Sequence, residues 1–116
     1  MNVNEFLRRT LVVERFGDIE HIQVRDRVVC KDGFNVSIQA SSFHYCSPRE
    51  NNGPYNSVEL GFPSDDMGNE FNEYGEDISL SQKGTVFARV PIEKVEVLLE
   101  KHGGIIGTLR YIEEEQ

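Results

Sequence analysis

The chain has 116 residues, of which 20 are acidic and 12 basic, so its formal net charge is −8. This length fits one domain, and the negative balance argues against binding nucleic acid or an anionic membrane through the overall electrostatic field. We therefore expect a single small domain over residues 1–116 that makes no direct contact with nucleic acid or membrane.

Three further classes of protein are disfavoured. Residues 1–9 are polar and lack the apolar core of a secretory signal. Apolar runs are only a few residues long, whereas a membrane span needs about 20. Cys30 and Cys46 do not form a C-x-x-C pair, and we expect both to be reduced thiols. These features predict a cytoplasmic protein.

The N-terminal segment predicts a helix and then a strand. Residues 2–9 have the pattern of a short helix that Asn2 or Asn4 caps. The β-branched run at residues 11–13 predicts a short first strand.

Alternating apolar residues predict a hairpin of two strands, residues 22–30 and 34–40. A three-residue loop, 31–33, pairs Val28 with Val36 and keeps the apolar side chains on one face. A two-residue loop would place them on opposite faces, so we predict the longer loop, with its glycine in the left-handed region. The predicted inward residues of the first strand are Ile22, Val24, Val28 and Cys30.

Two more strands show the same half-buried pattern, at residues 57–62 and 85–90. Because each has one apolar and one polar face, we expect an antiparallel sheet with one side covered. The predicted inward residues are Val58, Leu60 and Phe62 in the first of these strands and Val86, Ala88 and Val90 in the second.

The C-terminal segment predicts the helix that covers the sheet. Residues 91–102 begin with a proline, carry an apolar stripe and are followed by Gly103 and Gly104, which favour a helix end. Residues 105–112 predict an edge strand, and residues 113–116 a frayed acidic tail. The predicted fold is α+β: a two-layer antiparallel sheet of about four strands, covered by one C-terminal helix, with a short N-terminal helix.

The first of two irregular segments, loop 41–56, holds most of the candidate site residues. Loops carry function disproportionately often, and histidine, tyrosine and arginine suit recognition. One alternative is a small-ligand site or a thiol-dependent enzyme, in which a base or cation activates the cysteine. The other is structural: Tyr45 packs on the core, Ser47-Pro48 turns the chain, and Arg49 pairs with an acid. The candidate residues are His44, Tyr45, Cys46, Arg49 and Tyr55.

The second irregular segment, loop 63–81, is acidic. No lysine or arginine occurs between Arg49 and Lys83, while eight acids do. Such a segment either attracts a basic partner or is simply solvated. Phe71 and Tyr74 are unusual in a solvating run, and they anchor this loop to the core or a partner to this loop. The candidate interaction residues are Asp65, Asp66, Glu70, Glu73, Glu76 and Asp77.

No motif indicates a metal or a cofactor. The histidines and cysteines are scattered, without the paired spacing of a zinc site. The acidic segment lacks the calcium-loop pattern, and no glycine-rich phosphate loop precedes a helix. We therefore predict neither a metal nor a cofactor, and no recognisable catalytic motif.

Several strings resemble those of a group of small uncharacterised bacteriophage and prophage proteins. They are His44–Arg49 (HYCSPR), Gly53–Tyr55 (GPY), Val58–Ser64 (VELGFPS), the 26–34 segment and the helix that ends in Lys101-His102-Gly103-Gly104. The resemblance covers roughly residues 1–106 and implies a phage-encoded protein that works in a bacterial cytoplasm, but it transfers no catalytic residues.

These observations lead to one function hypothesis and two alternatives. The leading hypothesis is a non-enzymatic accessory protein that binds a macromolecular partner, such as a host or defence protein, through loop 41–56, loop 63–81 or both. The first alternative is the small-ligand binder or thiol-dependent enzyme centred on His44, Cys46 and Arg49. The second is a structural homo-oligomer that forms through an open sheet edge at 105–112.

Overall fold

A computed structural model describes residues 1–77, 79 and 81–110. The described residues form two α-helices, seven strands and two short 3₁₀ helices. In chain order these are α1 (Val3–Arg9), β1 (Val13–Phe16), β2 (Ile19–Ile22), β3 (Val28–Cys30), β4 (Asn35–Gln39), β5 (Ser57–Gly61), 3₁₀ helices at Asn69–Tyr74 and Gln82–Gly84, β6 (Val86–Pro91), α2 (Ile92–Lys101) and β7 (Ile105–Thr108). The predicted tail 113–116 and the end of the predicted edge strand, 111–112, lie outside the described residues.

The main sheet has five antiparallel strands in the order β6-β5-β4-β3-β7. The predicted α+β class is confirmed, with β7 as the additional strand at the edge. A separate two-stranded sheet, β1–β2, was not predicted. Of the predicted 11–13 strand only Val13 is in a strand, since β1 extends to Phe16.

Both helices form where the sequence predicts them. At α1, the Asn2 side chain accepts a hydrogen bond from the Glu5 amide (2.8 Å), so Asn2 is the cap. At α2, Pro91 precedes the first helical residue instead of occupying it. The helix ends before Gly103 and Gly104, whose φ angles of +93° and +85° are costly for other residues.

The β3–β4 hairpin has the predicted register, in which Val28 pairs with Val36. Gly33 adopts a φ of +97°, and the Cys30 amide donates to the Phe34 carbonyl across the three-residue loop (2.8 Å). Cys30 is buried, as this register requires, and burial raises the pKa of its thiol to about 11.

The predicted inward residues Val86 and Ala88 of β6 are wrong, because the strand contains a bulge, whereas Val90 is buried as predicted. Val58 pairs with Val90, but Leu60 pairs with Phe87, so β6 has one residue more than β5 between these pairs. Arg89 absorbs the extra residue with a left-handed φ of +49°. Phe87 therefore faces the core, and its neighbours on either side do not. Beyond the bulge, Val90 faces the core as well.

Two other predicted inward residues are exposed. Phe62 follows the end of β5 and has a φ of +49°, which turns its side chain to solvent. Val24 lies in residues 23–27, an irregular connection that separates β2 from β3 and interrupts the alternation expected for a single strand.

One hydrophobic core joins the strands of the main sheet to both helices. The helices contribute their apolar faces, including Val3, Phe6 and Leu7 from α1 and Val95 and Leu98 from α2. Among the described residues, no helix is long and apolar enough to cross a membrane.

Candidate functional site

Loop 41–56 is held to the body of the protein at several points. The Asn51 side chain accepts from the Ser42 amide (2.9 Å), and its Nδ2 donates to Glu20 of β2 (3.0 Å). The Ser47 amide donates to the Ser57 carbonyl at the start of β5 (3.2 Å). The Ser47–Pro48 and Gly53–Pro54 peptide bonds are cis. The loop therefore presents its side chains from a defined backbone.

The backbone of Tyr45 is hydrogen-bonded to one residue of β5 and one residue of β6. Its amide donates to the Glu59 carboxylate (3.0 Å), and its carbonyl accepts from the Arg89 amide (3.0 Å). Arg89 is the bulge residue, and bulges commonly redirect side chains next to functional sites. The bulge therefore places Arg89 beside Tyr45.

The Tyr45 ring is 44% exposed and lies near two guanidinium groups. The Cζ atoms of Arg49 and Arg89 are 5.4 Å and 5.6 Å from the ring centroid, within cation–π range. Tyr45 is not among the core residues, in contrast to its placement in the structural alternative. In the described part of the chain, Arg49 forms no ion pair with a carboxylate.

Phe43 extends this surface towards the β1–β2 hairpin. Its side chain is 60% exposed, and its ring centroid is 5.9 Å from that of His21 in β2. Phe16 and Ile19 pair across the hairpin on the same face as His21, since alternate residues of a strand share a face, and both are exposed. We call Phe16, Ile19, His21, Phe43, Tyr45, Arg49 and Arg89 the aromatic–arginine surface.

His44 is half-buried, and its ring contacts Ser41. Its Nδ1 lies 2.7 Å from the Ser41 hydroxyl, which also accepts from the Phe43 amide (3.0 Å). Burial lowers the pKa of His44 and favours the neutral ring. Ser41 is itself buried, so this contact shapes the turn at residues 41–44.

Cys46 and Tyr55 face the interior. Cys46 is 2% exposed, and its Sγ lies 3.2 Å from the Ser41 carbonyl and 3.4 Å from the Pro48 carbonyl, which share its one proton. Burial raises the pKa of this thiol, and among the described residues no hydrogen bond connects it to His44. The Tyr55 hydroxyl donates to the Glu50 carbonyl (2.8 Å). The structure thus divides the predicted residues, and only Tyr45 and Arg49 lie together on the outside.

The acidic segment is packed on the core through apolar residues. Met67 and Phe71 are buried, and Phe71 lies in the 3₁₀ helix Asn69–Tyr74. Lys94 of α2 lies 5.0 Å from the Tyr74 ring centroid and 6.0 Å from that of Phe71. The aromatic residues therefore anchor this segment to the protein. The six predicted acids are all exposed: Asp65, Asp66, Glu70, Glu73, Glu76 and Asp77.

Three elements of the candidate site were missed by sequence reasoning. The β1–β2 hairpin had a signal, since Gly17 and Asp18 occupy its turn, but its exposed apolar face lacks the usual alternation. No sequence signal marked Arg89, because its position depends on a bulge. The third is Arg25, which the alternation places on the outer face of the predicted 22–30 strand but which the structure buries.

No group of three or more histidine, cysteine, aspartate or glutamate side chains that could hold a metal ion occurs in residues 1–77, 79 and 81–110. No family model, no curated protein and no solved structure matches the chain.

Proposed function

We propose that this protein is a binding protein that recognises another protein through the aromatic–arginine surface. The observation that carries the proposal is the exposed cluster of Phe43, Tyr45, Arg49 and Arg89 on a held backbone. Tyrosine, phenylalanine and arginine are enriched in protein interfaces, and tyrosine and arginine contribute most to hot spots. The sequence left open whether a partner binds at loop 41–56, at loop 63–81 or at both, and this proposal places it at the aromatic–arginine surface.

The chemistry of this surface defines the kind of partner that fits it. Phe16, Ile19 and Phe43 offer apolar contact, while the two arginines offer positive charge that no carboxylate of the described chain neutralises through an ion pair. An apolar protein patch flanked by aspartate or glutamate is complementary to this arrangement. The resemblance to phage proteins suggests a bacterial host protein as the source of that patch.

The arrangement of the other candidate residues favours binding over thiol chemistry. A buried thiol whose proton is shared by two backbone carbonyls and whose pKa is raised is a weak nucleophile, because the thiolate is the reactive form. The acidic segment is a second exposed surface of opposite charge, and we treat it as a separate region that the experiment compares.

Site-specific photo-crosslinking in bacterial lysate tests the proposal. Benzoylphenylalanine in place of Phe43 is expected to give a discrete adduct, while the same probe in place of Val97 on α2, which is 67% exposed, is not. Arg49→Gln and Tyr45→Ala in the probe-bearing protein should remove the adduct. Neutralising the six acids of the acidic segment should leave it.

Three outcomes would contradict the proposal. One is an adduct that also forms from position 97. Another is an adduct that persists in both surface variants. The third is an adduct with the mass of two copies of this chain, which would instead support homo-oligomerisation. If the adduct is lost only in the acid-neutralised protein, the acidic segment is the interface and the proposal is wrong.

A further inference from the structure

Arg25 is a buried arginine at the junction of α1, β4 and the connection between β2 and β3. It is 6% exposed, and three of its N–H groups donate to Thr10 Oγ1 (3.0 Å), the Ala40 carbonyl (2.9 Å) and the Leu7 carbonyl (2.9 Å). The side-chain amide of Gln39 fixes the backbone of Arg25: Oε1 accepts from the Arg25 amide (3.0 Å), and Nε2 donates to the Arg25 carbonyl (2.8 Å). The guanidinium is therefore held in one place.

The positive charge of Arg25 has no carboxylate partner in the described part of the chain. Its acceptors are a hydroxyl and two carbonyls, and the last turn of the seven-residue α1 supplies only a fraction of a negative charge. Burial lowers the pKa of Arg25, which reflects the cost of removing a cation from water. A buried charge without a counter-ion is unusual in a stable domain.

Arg25 also lines a cavity of about 350 Å³, within the size range of small-ligand pockets. Leu7, Leu11 and Tyr55 provide apolar walls, and the exposed Arg8 is a second arginine in the lining. Of the ten described residues that line the cavity, two are arginines and none is acidic, although the chain carries a net charge of −8.

The hydrogen bonds of Arg25 leave room for a ligand. Three of the five guanidinium N–H groups have acceptors, so one N–H on each of Nη1 and Nη2 has none among the described residues. A carboxylate has two oxygens that can accept from such donors. Glu20 bonds to Asn51, which lines the cavity, but it pairs with Arg15 (3.1 Å) and leaves both cavity arginines unneutralised.

We propose that the cavity is a binding site for a small organic carboxylate, whose charged group contacts Arg25 and Arg8 and whose apolar part lies on Leu7, Leu11 and Tyr55. The site is separate from the aromatic–arginine surface and shares no residue with it. The cavity volume admits a ligand with a single ring or a short alkyl chain, such as benzoate or hexanoate.

NMR titration of the ¹⁵N-labelled protein with sodium benzoate tests the proposal. Saturable shifts are expected for amides around the cavity and for the Arg25 Nε–H signal. Benzamide has the same shape without the charge and should bind at least about tenfold more weakly, because a charge-assisted hydrogen bond contributes more than a neutral one.

Arg8 and Arg9 provide a matched pair of variants, since they are neighbours on α1 with the same charge and only Arg8 lines the cavity. Arg8→Gln should weaken benzoate binding by about fivefold, and Arg9→Gln should leave it within about twofold. Arg8 and Arg9 are both exposed, so these two variants are expected to fold normally. A variant of the buried Arg25 is avoided here, because its replacement perturbs folding.

Several results would overturn the proposal. One is equal binding of benzamide and benzoate, and another is the same effect of Arg8→Gln and Arg9→Gln. A third is the absence of saturable shifts with both benzoate and hexanoate up to about 20 mM, which would indicate a site of negligible affinity. Tighter binding of phenyl phosphate than of benzoate would reject a carboxylate in favour of a phosphate.

Discussion

Replacing Arg25 by methionine probes the link between the buried guanidinium and the stability of the fold. Methionine preserves most of the side-chain volume but removes every donor. The carbonyls of Leu7 and Ala40 then lose their hydrogen bonds from this side chain. Thr10 Oγ1 keeps a partner, because its hydroxyl donates to the Phe6 carbonyl (2.7 Å).

The expected cost combines two opposing terms. Each buried acceptor left without a donor costs about 1–3 kcal/mol, so two cost about 4 kcal/mol at the middle of that range. Removing a desolvated cation and burying an apolar side chain returns part of this, roughly 1 kcal/mol at the low end of measured replacements. We expect Arg25→Met to lower the free energy of unfolding by about 3 kcal/mol.

Chemical denaturation in urea, followed by circular dichroism, measures this change directly. A loss of about 3 kcal/mol corresponds to a fall in Tm of about 12 °C, given an unfolding entropy of about 0.24 kcal/mol/K for a chain of this length. Arg9→Met is the control, because Arg9 is exposed on the same helix and its replacement should change stability by less than about 0.5 kcal/mol. A change below about 1 kcal/mol for Arg25→Met would refute the reasoning that its carbonyl partners need this donor.

Three other predictions follow from single contacts. Hydrogen bonds from Phe34 and His102 lower the pKa of Asp32, so the stability that this carboxylate contributes is complete above its unfolded pKa of about 3.9 and is lost as the pH falls through its folded pKa. The urea midpoints measured at about pH 6 and about pH 3 should therefore differ less in Asp32→Asn than in the native chain. Equal differences in the two proteins would contradict this. Cys46 should react with a thiol reagent at neutral pH only after denaturation, whereas rapid labelling of the native protein would show an accessible thiolate. Gly33→Val should destabilise the protein by about 1–3 kcal/mol and Gly33→Asn by clearly less in thermal melts, because asparagine tolerates positive φ.

The parts of the fold that sequence reasoning predicted depend on local chemistry. The β3–β4 register followed from one comparison of loop lengths, since only the three-residue loop keeps Val28 and Val36 on one face. The second helix followed from an apolar stripe bounded by Pro91 and Gly103, both of which act within a single turn of chain.

The parts that it missed depend on contacts between distant segments. The bulge at Arg89 depends on pairing between β5 and β6, and no residue type marks it in the sequence. Arg25 is buried because carbonyls of α1 and of Ala40 at the end of β4 converge on it from 15 or more positions away. The predicted alternation places Arg25 on the outer face of the 22–30 strand, whereas in the structure this arginine is buried and joins a helix to the sheet.

The uneven distribution of charge along the chain favours both proposed sites. Residues 1–49 contain seven basic and six acidic side chains, so this part is close to neutral, while most of the negative charge follows Glu50. Arg8, Arg25 and Arg49 come from the near-neutral part, and Arg89 is the arginine of these sites that follows Glu50. An anionic ligand or an acidic protein patch meets less repulsion beside these arginines than at the acidic segment. A uniform spread of the same net charge would weaken both sites.

Because Arg25 both lines the cavity and connects α1 to the sheet, ligand binding and folding are coupled through one side chain. A carboxylate that binds only the folded protein stabilises it by RT ln(1 + [L]/Kd), about 1.4 kcal/mol at ten times Kd. With the same unfolding entropy, that stabilisation raises Tm by about 6 °C. In the folded protein the ligand would also supply the negative charge that Arg25 lacks, so the benzoate-dependent rise in Tm should decrease in Arg8→Gln and persist in Arg9→Gln. A rise of equal size in both variants would show that benzoate stabilises the chain elsewhere.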